Sequence, residues 1–335
     1  MTKPRVSIII PTWNRKSDLE RCLTSINKLK YPKIEIIVVD NGSSDGTKGM
    51  LINQHPIVKL IINRKNLGAA YARNQAIIAS SGDYVWFLDS DTEIISPNTL
   101  REMLNILKSH HTIAAVGGEL VMEDNIKRIK IHQPLFFGRS ILTFLKKDEC
   151  HLVECEFLST ANYLVRKELL FKVGGFDPDY FYTGEDVDLC MKTHELGYKN
   201  IIDKNTVVIH YISKKQRKSN LYLQEKNRMR GLLLHESIFV ILIFPLVDFF
   251  SLLFDLPFQY KQLKKRKISN MSSINVKYKK ETDEKKNSIL KKLLVIAPIF
   301  ILSILYSYGW NLLFFPKTMY LRFKRPNYLD KMKKN

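Results

Sequence analysis

The feature that most constrains the fold is a short apolar run that ends abruptly in two carboxylates. Tyr84–Leu88 is rich in strand-forming side chains, and Asp89, Ser90 and Asp91 follow it at once. Because strand side chains alternate between faces, an Asp-x-Asp at a strand end can direct both carboxylates the same way. Two adjacent anions favour a hard divalent cation between them, although Asp and Ser are also ordinary turn residues. The motif therefore has two interpretations, a metal site and a plain turn.

Apolar runs and helical segments alternate through the first 120 residues, which predicts an α/β fold with a mainly parallel sheet covered on both faces. In such sheets ligands bind beyond the carboxyl ends of the strands. Polar motifs follow three of the runs, at Pro11–Asn14, Asp40–Thr47 and Asp89–Asp91. This convergence favours the metal-site interpretation. The apolar runs are Val6–Ile10, Ile34–Val39, Ile57–Ile62 and Tyr84–Leu88, and the helical segments are Leu19–Ile26 and Leu67–Ala79.

Net charge and cysteine usage narrow the class of protein. The chain of 335 residues carries a net charge of +20, and residues 231–335 contribute +12 of it, from 19 Lys and Arg against 7 Asp and Glu. Such a concentration indicates an anionic partner. Because the basic residues flank apolar segments and do not alternate with aromatic residues, we expect a membrane surface and no nucleic acid. Four cysteines without a Cys-x-x-Cys pair, and an N-terminus without a secretory apolar region, favour a reduced, cytosolic setting.

The rest of the chain is predicted to continue the first domain and then to change character. Gly174–Pro178 is predicted to be a loop, Asp186–Leu196 a helix that ends at Gly197, and Val207–His210 a short strand. We therefore predict one domain over residues 1–230 and a basic C-terminal region over residues 231–335.

Six polar and glycine-rich motifs recur through the first 230 residues. They are Val6–Asn14, Val38–Thr47, Asn66–Gly68 with Arg73–Asn74, Asp89–Asp91, Gly174–Asp177 and Gly184–Leu189. Together these motifs resemble the family-2 glycosyltransferases, nucleotide-sugar enzymes with a GT-A fold, and they occur in that family's order over residues 4 to 230. The resemblance implies a Rossmann-like, mainly parallel mixed sheet with helices on both faces, and a catalytic domain over residues 1–230.

The resemblance implies a nucleotide-sugar site along the strand ends. Asp40 would accept a hydrogen bond from the base, commonly uracil or thymine, because a carboxylate pairs well with an imide N–H. Arg73 would reach the diphosphate or tether Asp89, and the alternative is a solvated helix arginine. Asp45 would support the same loop or contact the nucleoside. The implied nucleotide-sugar-binding residues are Pro11, Thr12, Asn14, Asp40, Asp45, Asn66, Gly68, Arg73, Asp89 and Ser90.

The resemblance also divides the chemistry between two acidic groups. Asp91 would hold Mg²⁺ or Mn²⁺, with Asp89 contacting the sugar or the metal through water, and His210 would complete the site or serve only the structure. Asp186 matches the family's catalytic base, which removes the acceptor hydroxyl's proton in an inverting transfer. Glu185 and Asp188 are competing choices, and an acidic cluster that only stabilises the helix N-terminus is the structural alternative.

The resulting functional prediction is an inverting, metal-dependent transfer of one sugar from a UDP- or dTDP-linked donor to a hydroxyl of a glycan or lipid-linked saccharide. The glycine and acidic motifs resemble the rhamnosyltransferase-like branch of the family. The processive signature Gln-x-x-Arg-Trp is missing, since Gln224 and Arg228 have the wrong spacing and Met229 replaces the Trp. Transfer to a polyprenyl phosphate and a non-catalytic nucleotide-sugar-binding protein are the alternatives.

Two apolar segments in the C-terminal region, Ser237–Phe258 and Leu293–Phe315, approach the length of a bilayer core. Both contain polar side chains near one helical face, and Lys261–Lys292 between them is strongly basic. Two full crossings would place that basic loop away from the cytoplasm, against the charge rule. We therefore predict two interfacial or re-entrant helices on the cytoplasmic face of the cell membrane, attracted to anionic lipid. Buried helices of a soluble helical domain are the alternative.

Overall fold

The computed structural model describes residues 3–122, 131–135, 139–143, 151–211, 221–243, 302 and 304–334. The chain divides into two compact units. The first comprises residues 1–135, 139–219 and 323–335, and the second comprises residues 136–138 and 220–322. A catalytic domain that ends at residue 230 stays a prediction.

Strands and helices alternate along the first unit as the sequence pattern predicts, with additional strands beyond residue 90. The strands are β1 (Val6–Thr12), β2 (Ile34–Asp40), β3 (Lys59–Ile62), β4 (Tyr84–Leu88), β5 (Thr92–Ile94), β6 (Ile113–Met122), β7 (Ile131–Leu135), β8 (Arg139–Thr143), β9 (Leu152–Cys155), β10 (Asn162–Arg166) and β11 (Lys199–His210). The helices are α1 (Lys16–Ile26), α2 (Thr47–Gln54), α3 (Ala69–Ala79), α4 (Thr99–Ser109), α5 (Lys167–Lys172), α6 (Glu185–His194), α7 (Leu221–His235), α8 (Phe315–Phe323) and α9 (Tyr328–Lys333).

The described strands form a nine-stranded mixed sheet and a separate β7–β8 pair. The order in the large sheet is β3-β2-β1-β4-β10-β6-β11-β5, and β9 pairs with β11. β1 to β4 are parallel to one another, as predicted, whereas β10 lies antiparallel between β4 and β6. The α/β mixed sheet expected from the sequence is therefore confirmed.

Helices cover both faces of the sheet because successive strand residues are apolar. Trp86 and Leu88 of β4 pack on the face covered by α1 and α4, and Val85 and Phe87 pack on the face covered by α3 and α6. All four side chains are fully buried. A strand that is apolar on both faces needs cover on both sides. That arrangement leaves the strand ends as the place where polar side chains can gather.

The second unit turns polar side chains toward its own interior. Ser307 Oγ donates to the Tyr222 carbonyl over 3.2 Å, and Asn311 Nδ2 donates to the Lys226 carbonyl over 3.1 Å. The helix at 304–313, which carries both donors, therefore packs its polar stripe against α7.

Only parts of the two predicted apolar segments lie within the described residues. These parts are residues 237–243, 302 and 304–315, and the basic stretch 261–292 lies outside them. Among the helices that the structure describes, none has both the length and the apolar character needed to cross a bilayer.

Candidate functional site

The carboxyl ends of β1, β2 and β4 form one edge of the sheet, where the predicted polar motifs meet. β1 lies between β2 and β4, and Thr12 is the register partner of Asp40. Just beyond both strands, the Asn41 N–H donates to the Thr12 carbonyl over 2.9 Å. The sheet thus brings the Pro11–Asn14 segment beside the loop that begins at Asp40.

Asn14 and Asp40 shape the loop after β2 through hydrogen bonds. The Asn14 N–H donates to Ser43 Oγ over 2.8 Å, and its Oδ1 accepts from the Ser44 N–H over 2.7 Å. Its backbone has a left-handed φ of 51°, which asparagine tolerates better than most residues. Asp40 Oδ1 accepts from the Ser43 N–H over 2.9 Å, and Asp40 is buried. Both side chains therefore pre-organise the loop from within.

Asp45 fixes the other end of the same loop. Its Oδ2 accepts from the Lys16 N–H over 2.9 Å, and its Oδ1 accepts from the Thr47 N–H over 3.1 Å and from the Thr47 hydroxyl over 2.5 Å. Burial acts to raise the pKa of this carboxyl, but the hydrogen bonds outweigh it and the pKa is lowered. Of the two roles predicted for Asp45, the structure supports the loop.

Asn66 and Gly68 form the connection into α3. Asn66 Oδ1 accepts from the Gly68 N–H over 2.9 Å, and Asn41 Nδ2 donates to the Gly68 carbonyl over 3.2 Å. Gly68 has a φ of 86°, and a Cβ there would lie 2.7 Å from the Phe181 carbonyl oxygen. Only glycine fits both the conformation and the space. This connection therefore links the Asp40 loop to the segment before α6.

Asp89, Asp91 and His210 come together although β11 follows β4 by more than a hundred residues. β11 pairs with β5 so that His210 lies opposite Thr92, and the Tyr211 N–H donates to the Asp91 carbonyl over 2.8 Å. His210 Nε2 lies 3.0 Å from Asp91 Oδ1 and 3.8 Å from Asp89 Oδ2. One ligand atom from each of the three residues lies within 4.8 Å of the others.

The chemistry of this cluster suits a divalent cation. Two carboxylates and an imidazole nitrogen form a donor set that Mg²⁺ or Mn²⁺ accepts, and three ligands leave positions for further oxygens. Asp91 and His210 are buried, as is Ser90 between the two aspartates, whereas Asp89 is partly exposed. The residues present therefore fit the predicted metal.

Arg73 joins this cluster to the acidic start of α6. Its Nη2 donates to Asp89 Oδ1 over 2.9 Å, and its Nη1 donates to Glu185 Oε1 over 2.8 Å. The guanidinium is buried, so both ion pairs are shielded from solvent. The predicted tether to Asp89 is present, and the second partner, Glu185, was not anticipated.

The start of α6 is set by two residues in left-handed conformation. Thr183 has a φ of 65° and Gly184 a φ of 89°, and the helix begins at the next residue. Asp186 is half-buried on the first turn. Asp188, one of the competing choices for the base, is buried and pairs with Lys192 Nζ at 2.6 Å. That ion pair gives Asp188 a structural role within the helix.

Glu185 and Asp186 both have raised pKa values. Burial raises the pKa of Glu185 to about 7, the Arg73 guanidinium acts against it, and the neighbouring Asp186 carboxyl raises it further. Burial also raises the pKa of Asp186, again opposed by Arg73. Within the described residues, Glu185 Oε2 has no hydrogen-bond partner. An acidic pair with pKa values shifted toward neutrality is suited to proton transfer.

Asn74, the residue after Arg73, anchors the glycine loop that precedes α6. Asn74 Nδ2 donates to the Phe176 carbonyl over 2.8 Å, and Asn74 Oδ1 accepts from the Phe176 N–H over 2.9 Å. This pair of bonds spans 102 residues of sequence and is fully buried. The Arg73–Asn74 and Gly174–Asp177 motifs are thus parts of one structure.

Arg15 belongs to the site and was not among the predicted residues. It lies just after β1, and its Nη1 donates to Asp91 Oδ2 over 2.9 Å and to Asp18 Oδ2 over 3.3 Å. Its side chain is largely buried. The sequence signal was its position directly after the Pro11–Asn14 motif at a strand end, where a basic side chain points toward the neighbouring acidic pair.

The mixed α/β sheet with polar side chains gathered at this edge is a GT-A-like fold. The family described as "Glycosyl transferase family 2" matches residues 7–174, which is half of the chain. The chain belongs to glycosyl transferase family 2 and is a glycosyltransferase.

Two similar proteins are also named as glycosyltransferases, and the chain covers different shares of their lengths. The chain is 29% identical over 215 residues to glycosyltransferase AglE of Haloferax volcanii, covering 62% of this chain and 67% of that one. It is 29% identical over 214 residues to the pre-mycofactocin glycosyltransferase of Mycobacterium tuberculosis, covering 61% of this chain but only 42% of that one.

Two solved structures share the fold. A mannosyltransferase from Pyrobaculum calidifontis, in complex with GDP-Man and Mn²⁺, superposes with a TM-score of 0.53 at 19% identity, over 93% of this chain and 88% of that one. GalNAc-T7 with UDP, GalNAc and Mn²⁺ superposes with a TM-score of 0.58 at 17% identity, over 69% of this chain and 48% of that one. At these identities the likeness establishes the GT-A-like fold.

Proposed function

We propose that the protein transfers one sugar, with inversion, from a nucleoside diphosphate sugar to a hydroxyl of a glycan or lipid-linked saccharide. The observation that carries this proposal is the Arg73 bridge. One buried guanidinium holds Asp89, beside the candidate metal ligands, and Glu185, beside the candidate base. Two acidic groups with different environments in one site are suited to different roles.

The donor would lie along the strand ends, with its base toward Asp40. Pro11, Thr12 and Asn14 would line the pocket, and Asn66, Gly68 and Ser90 would complete it. The two solved relatives contain UDP in one case and GDP-Man in the other, which supports a nucleoside diphosphate donor. We propose UDP or dTDP, and the likeness to rhamnosyltransferase-like enzymes places dTDP-rhamnose among the donors to screen.

Asp91, Asp89 and His210 would hold the cation. Bound there, Mg²⁺ or Mn²⁺ supplies Lewis acidity that neutralises charge on the departing diphosphate. The role of Asp91 and His210 is to fix the cation's position, and Arg73 fixes the Asp89 carboxylate. The Mn²⁺ named with both solved relatives supports this assignment.

Asp186 would act as the base. Its carboxylate takes the proton of the acceptor hydroxyl while that oxygen bonds to the anomeric carbon. The bond from the anomeric carbon to the diphosphate oxygen breaks, and its electron pair leaves with the nucleoside diphosphate. Because attack and departure occur on opposite faces, the configuration inverts. Glu185 is buried and paired with Arg73, whereas Asp186 is half-buried and therefore more accessible to an acceptor, which makes Asp186 the better placed of the two.

Donor hydrolysis and binding test the proposal. Nucleotide sugars, dTDP-rhamnose included, are incubated with the full-length protein and Mg²⁺ or Mn²⁺, and the released nucleoside diphosphate is measured. We expect metal-dependent turnover that Asp91→Ala lowers by about a hundredfold or more, as loss of a metal ligand does. Asp330→Ala, an exposed aspartate on α9, is the control. The proposal fails if no donor binds or turns over with either metal.

We further propose that the second unit attaches the enzyme to the cytoplasmic face of the membrane. Ser307 and Asn311 are buried, whereas Leu305 and Leu312 on the same helix are 60% and 70% exposed. A helix with its polar side inward and its leucines outward suits an apolar surrounding. The basic residues near its end would then meet anionic headgroups.

A further inference from the structure

Arg15 neutralises the carboxylate that would hold the proposed cation. Its Nη1 donates to Asp91 Oδ2 over 2.9 Å, while His210 Nε2 lies 3.0 Å from the other oxygen, Oδ1. The Asp91 side chain is almost inaccessible to solvent, so water replaces neither contact easily. A divalent cation bound at Oδ1 therefore shares this carboxylate with the Arg15 guanidinium and is repelled by it, and a cation bound at both oxygens must displace Arg15.

Arg15 also has a second carboxylate within reach. The same Nη1 lies 3.3 Å from Asp18 Oδ2, and Asp18 Oδ1 accepts from Arg21 at 2.6 Å. Asp18 lies on the first turn of α1, directly after Arg15. When the guanidinium leaves Asp91, it still has Asp18 as a partner. It is thus positioned to leave Asp91 without becoming an unpaired buried charge.

We propose that Arg15 is a displaceable counter-ion: it neutralises Asp91 until the cation binds, and then donates to the donor's diphosphate. This inference rests on the proposed function of the Asp89, Asp91 and His210 cluster. Arg15 is paired with Asp91, and Arg73 is shared between Asp89 and Glu185, so a cation added beside Asp91 brings positive charge next to Arg15. An anionic diphosphate beside Arg15 offsets the added positive charge, and the planar guanidinium can donate two parallel hydrogen bonds to phosphate oxygens.

The consequence is a coupling between cation and nucleotide. The cation alone binds weakly because Arg15 already neutralises Asp91 and repels a second positive charge, and the nucleotide alone binds weakly because Arg15 is held by Asp91. Each ligand therefore raises the affinity for the other, and the two factors are equal by thermodynamic linkage. Without Arg15, the cation gains affinity and the coupling is reduced.

Dissociation constants of Arg15→Gln test this. The free Mn²⁺ signal in electron paramagnetic resonance gives Mn²⁺ affinity with and without UDP, and calorimetry gives UDP affinity with and without Mn²⁺. We expect Mn²⁺ alone to bind about three- to tenfold more tightly than to wild type, because a competing partly buried charge is removed. UDP alone should bind as it does to wild type and UDP in the presence of Mn²⁺ at least fivefold more weakly, so the coupling factor should also fall at least fivefold.

Two variants make the result specific. Arg101→Gln removes the same charge from an exposed arginine on α4, whose side chain donates to the Lys30 carbonyl, so it should match wild type in all four constants. Arg15→Lys keeps the charge and should recover part of the coupling. An Arg15→Gln protein with the same Mn²⁺ affinity or the same coupling as Arg101→Gln overturns the inference.

The same data separate this inference from the proposed function. Mn²⁺ bound by wild type and lost in Asp91→Asn, with Arg15→Gln unchanged, refutes only the counter-ion role of Arg15. Mn²⁺ bound by neither wild type nor Arg15→Gln refutes the metal site, and the counter-ion role with it.

Discussion

At the scale of single residues, the Glu185–Asp186 pair controls the expected pH dependence. Burial raises the pKa of Asp186, and it raises the pKa of Glu185 to about 7. A base must be deprotonated to accept a proton, so kcat/KM should fall with decreasing pH already above the usual range of an aspartate. A pH–rate profile of the wild type checks this. A profile that stays flat down to pH 5 would contradict the assignment.

Variants of the pair separate the base from its neighbour. Asp186→Asn should keep UDP affinity but lose about 10²- to 10⁴-fold in transfer, the usual contribution of general base catalysis. Glu185→Gln should retain transfer at high pH and shift the acid limb to lower pH. The acid limb moves to lower pH because two effects lower the pKa of Asp186 in this variant. Asp186 loses a negative neighbour, and Arg73 has one carboxylate fewer to neutralise. Transfer that survives in Asp186→Asn and vanishes in Glu185→Gln would reverse the roles.

The residue-scale site was partly readable from sequence. Asp89 and Asp91 could be expected together because both directly follow one strand, and the family resemblance added His210 to them. The Arg73–Glu185 pair could not, because the partners are 112 residues apart and no local period fixes which way a helix arginine points. Arg15 was missed because its role depends on Asp91, which the chain brings near only through the neighbouring strand.

At the scale of elements, Asn74 is expected to fasten the glycine loop to α3. Asn74→Ala leaves the buried N–H and carbonyl of Phe176 unpaired, which should lower the free energy of unfolding by about 2–4 kcal/mol. Because that loop leads into α6, sugar transfer should also decrease at temperatures where the variant is folded. Urea denaturation measures the first effect and the donor assay measures the second.

The matched control is Asn105→Ala, an exposed asparagine on α4. It removes the same side chain from a helix without taking partners from buried backbone groups, so its effect should stay within about 0.5 kcal/mol. Equal destabilisation by the two substitutions would show that Asn74 holds no special contact.

Strands that are apolar on both faces could be predicted from the sequence. The position of a strand that depends on which distant strands it pairs with could not. β1, β2 and β4 are continuous apolar runs with clear ends. β10 has a similar run, Tyr163–Val165, but its place antiparallel between β4 and β6 depends on pairing with strands far away in sequence. β11 was predicted only at Val207–His210, because its first half mixes polar and apolar residues in an irregular, partly buried pattern.

At the scale of the whole molecule, hydropathy marked the C-terminal segments as apolar but could not tell which side packs inward. Asn311 and Ser307 are buried through bonds to the α7 backbone, and Arg230 Nη1 donates to Thr318 Oγ1 over 3.3 Å inside the same unit. Polar groups thus satisfy one another within the unit. Leu305 and Leu312, which a soluble helical domain would bury, are exposed.

Because these leucines face outward, we predict that they enter the lipid, and substitutions of both can test this. Leu305→Glu/Leu312→Glu should bind vesicles of phosphatidylcholine and phosphatidylglycerol at least tenfold more weakly than wild type in a sedimentation assay. Burial of one leucine side chain in lipid contributes about 1.5–3 kcal/mol to the free energy of binding, and each Glu substitution removes that contribution. Both positions are already exposed, so circular dichroism should show an unchanged fold.

Ile57→Glu is the control, because it also replaces an exposed apolar side chain with a carboxylate, but in the first unit, where Ile57 is 82% exposed. It should bind vesicles like wild type. Phosphatidylglycerol should strengthen wild-type binding, and salt should weaken that added part alone, since only the attraction of basic residues to anionic lipid is screened. Equal vesicle binding by the double variant and wild type would mean that the exposed leucines do not enter the lipid, and attachment would then have to rest on charge.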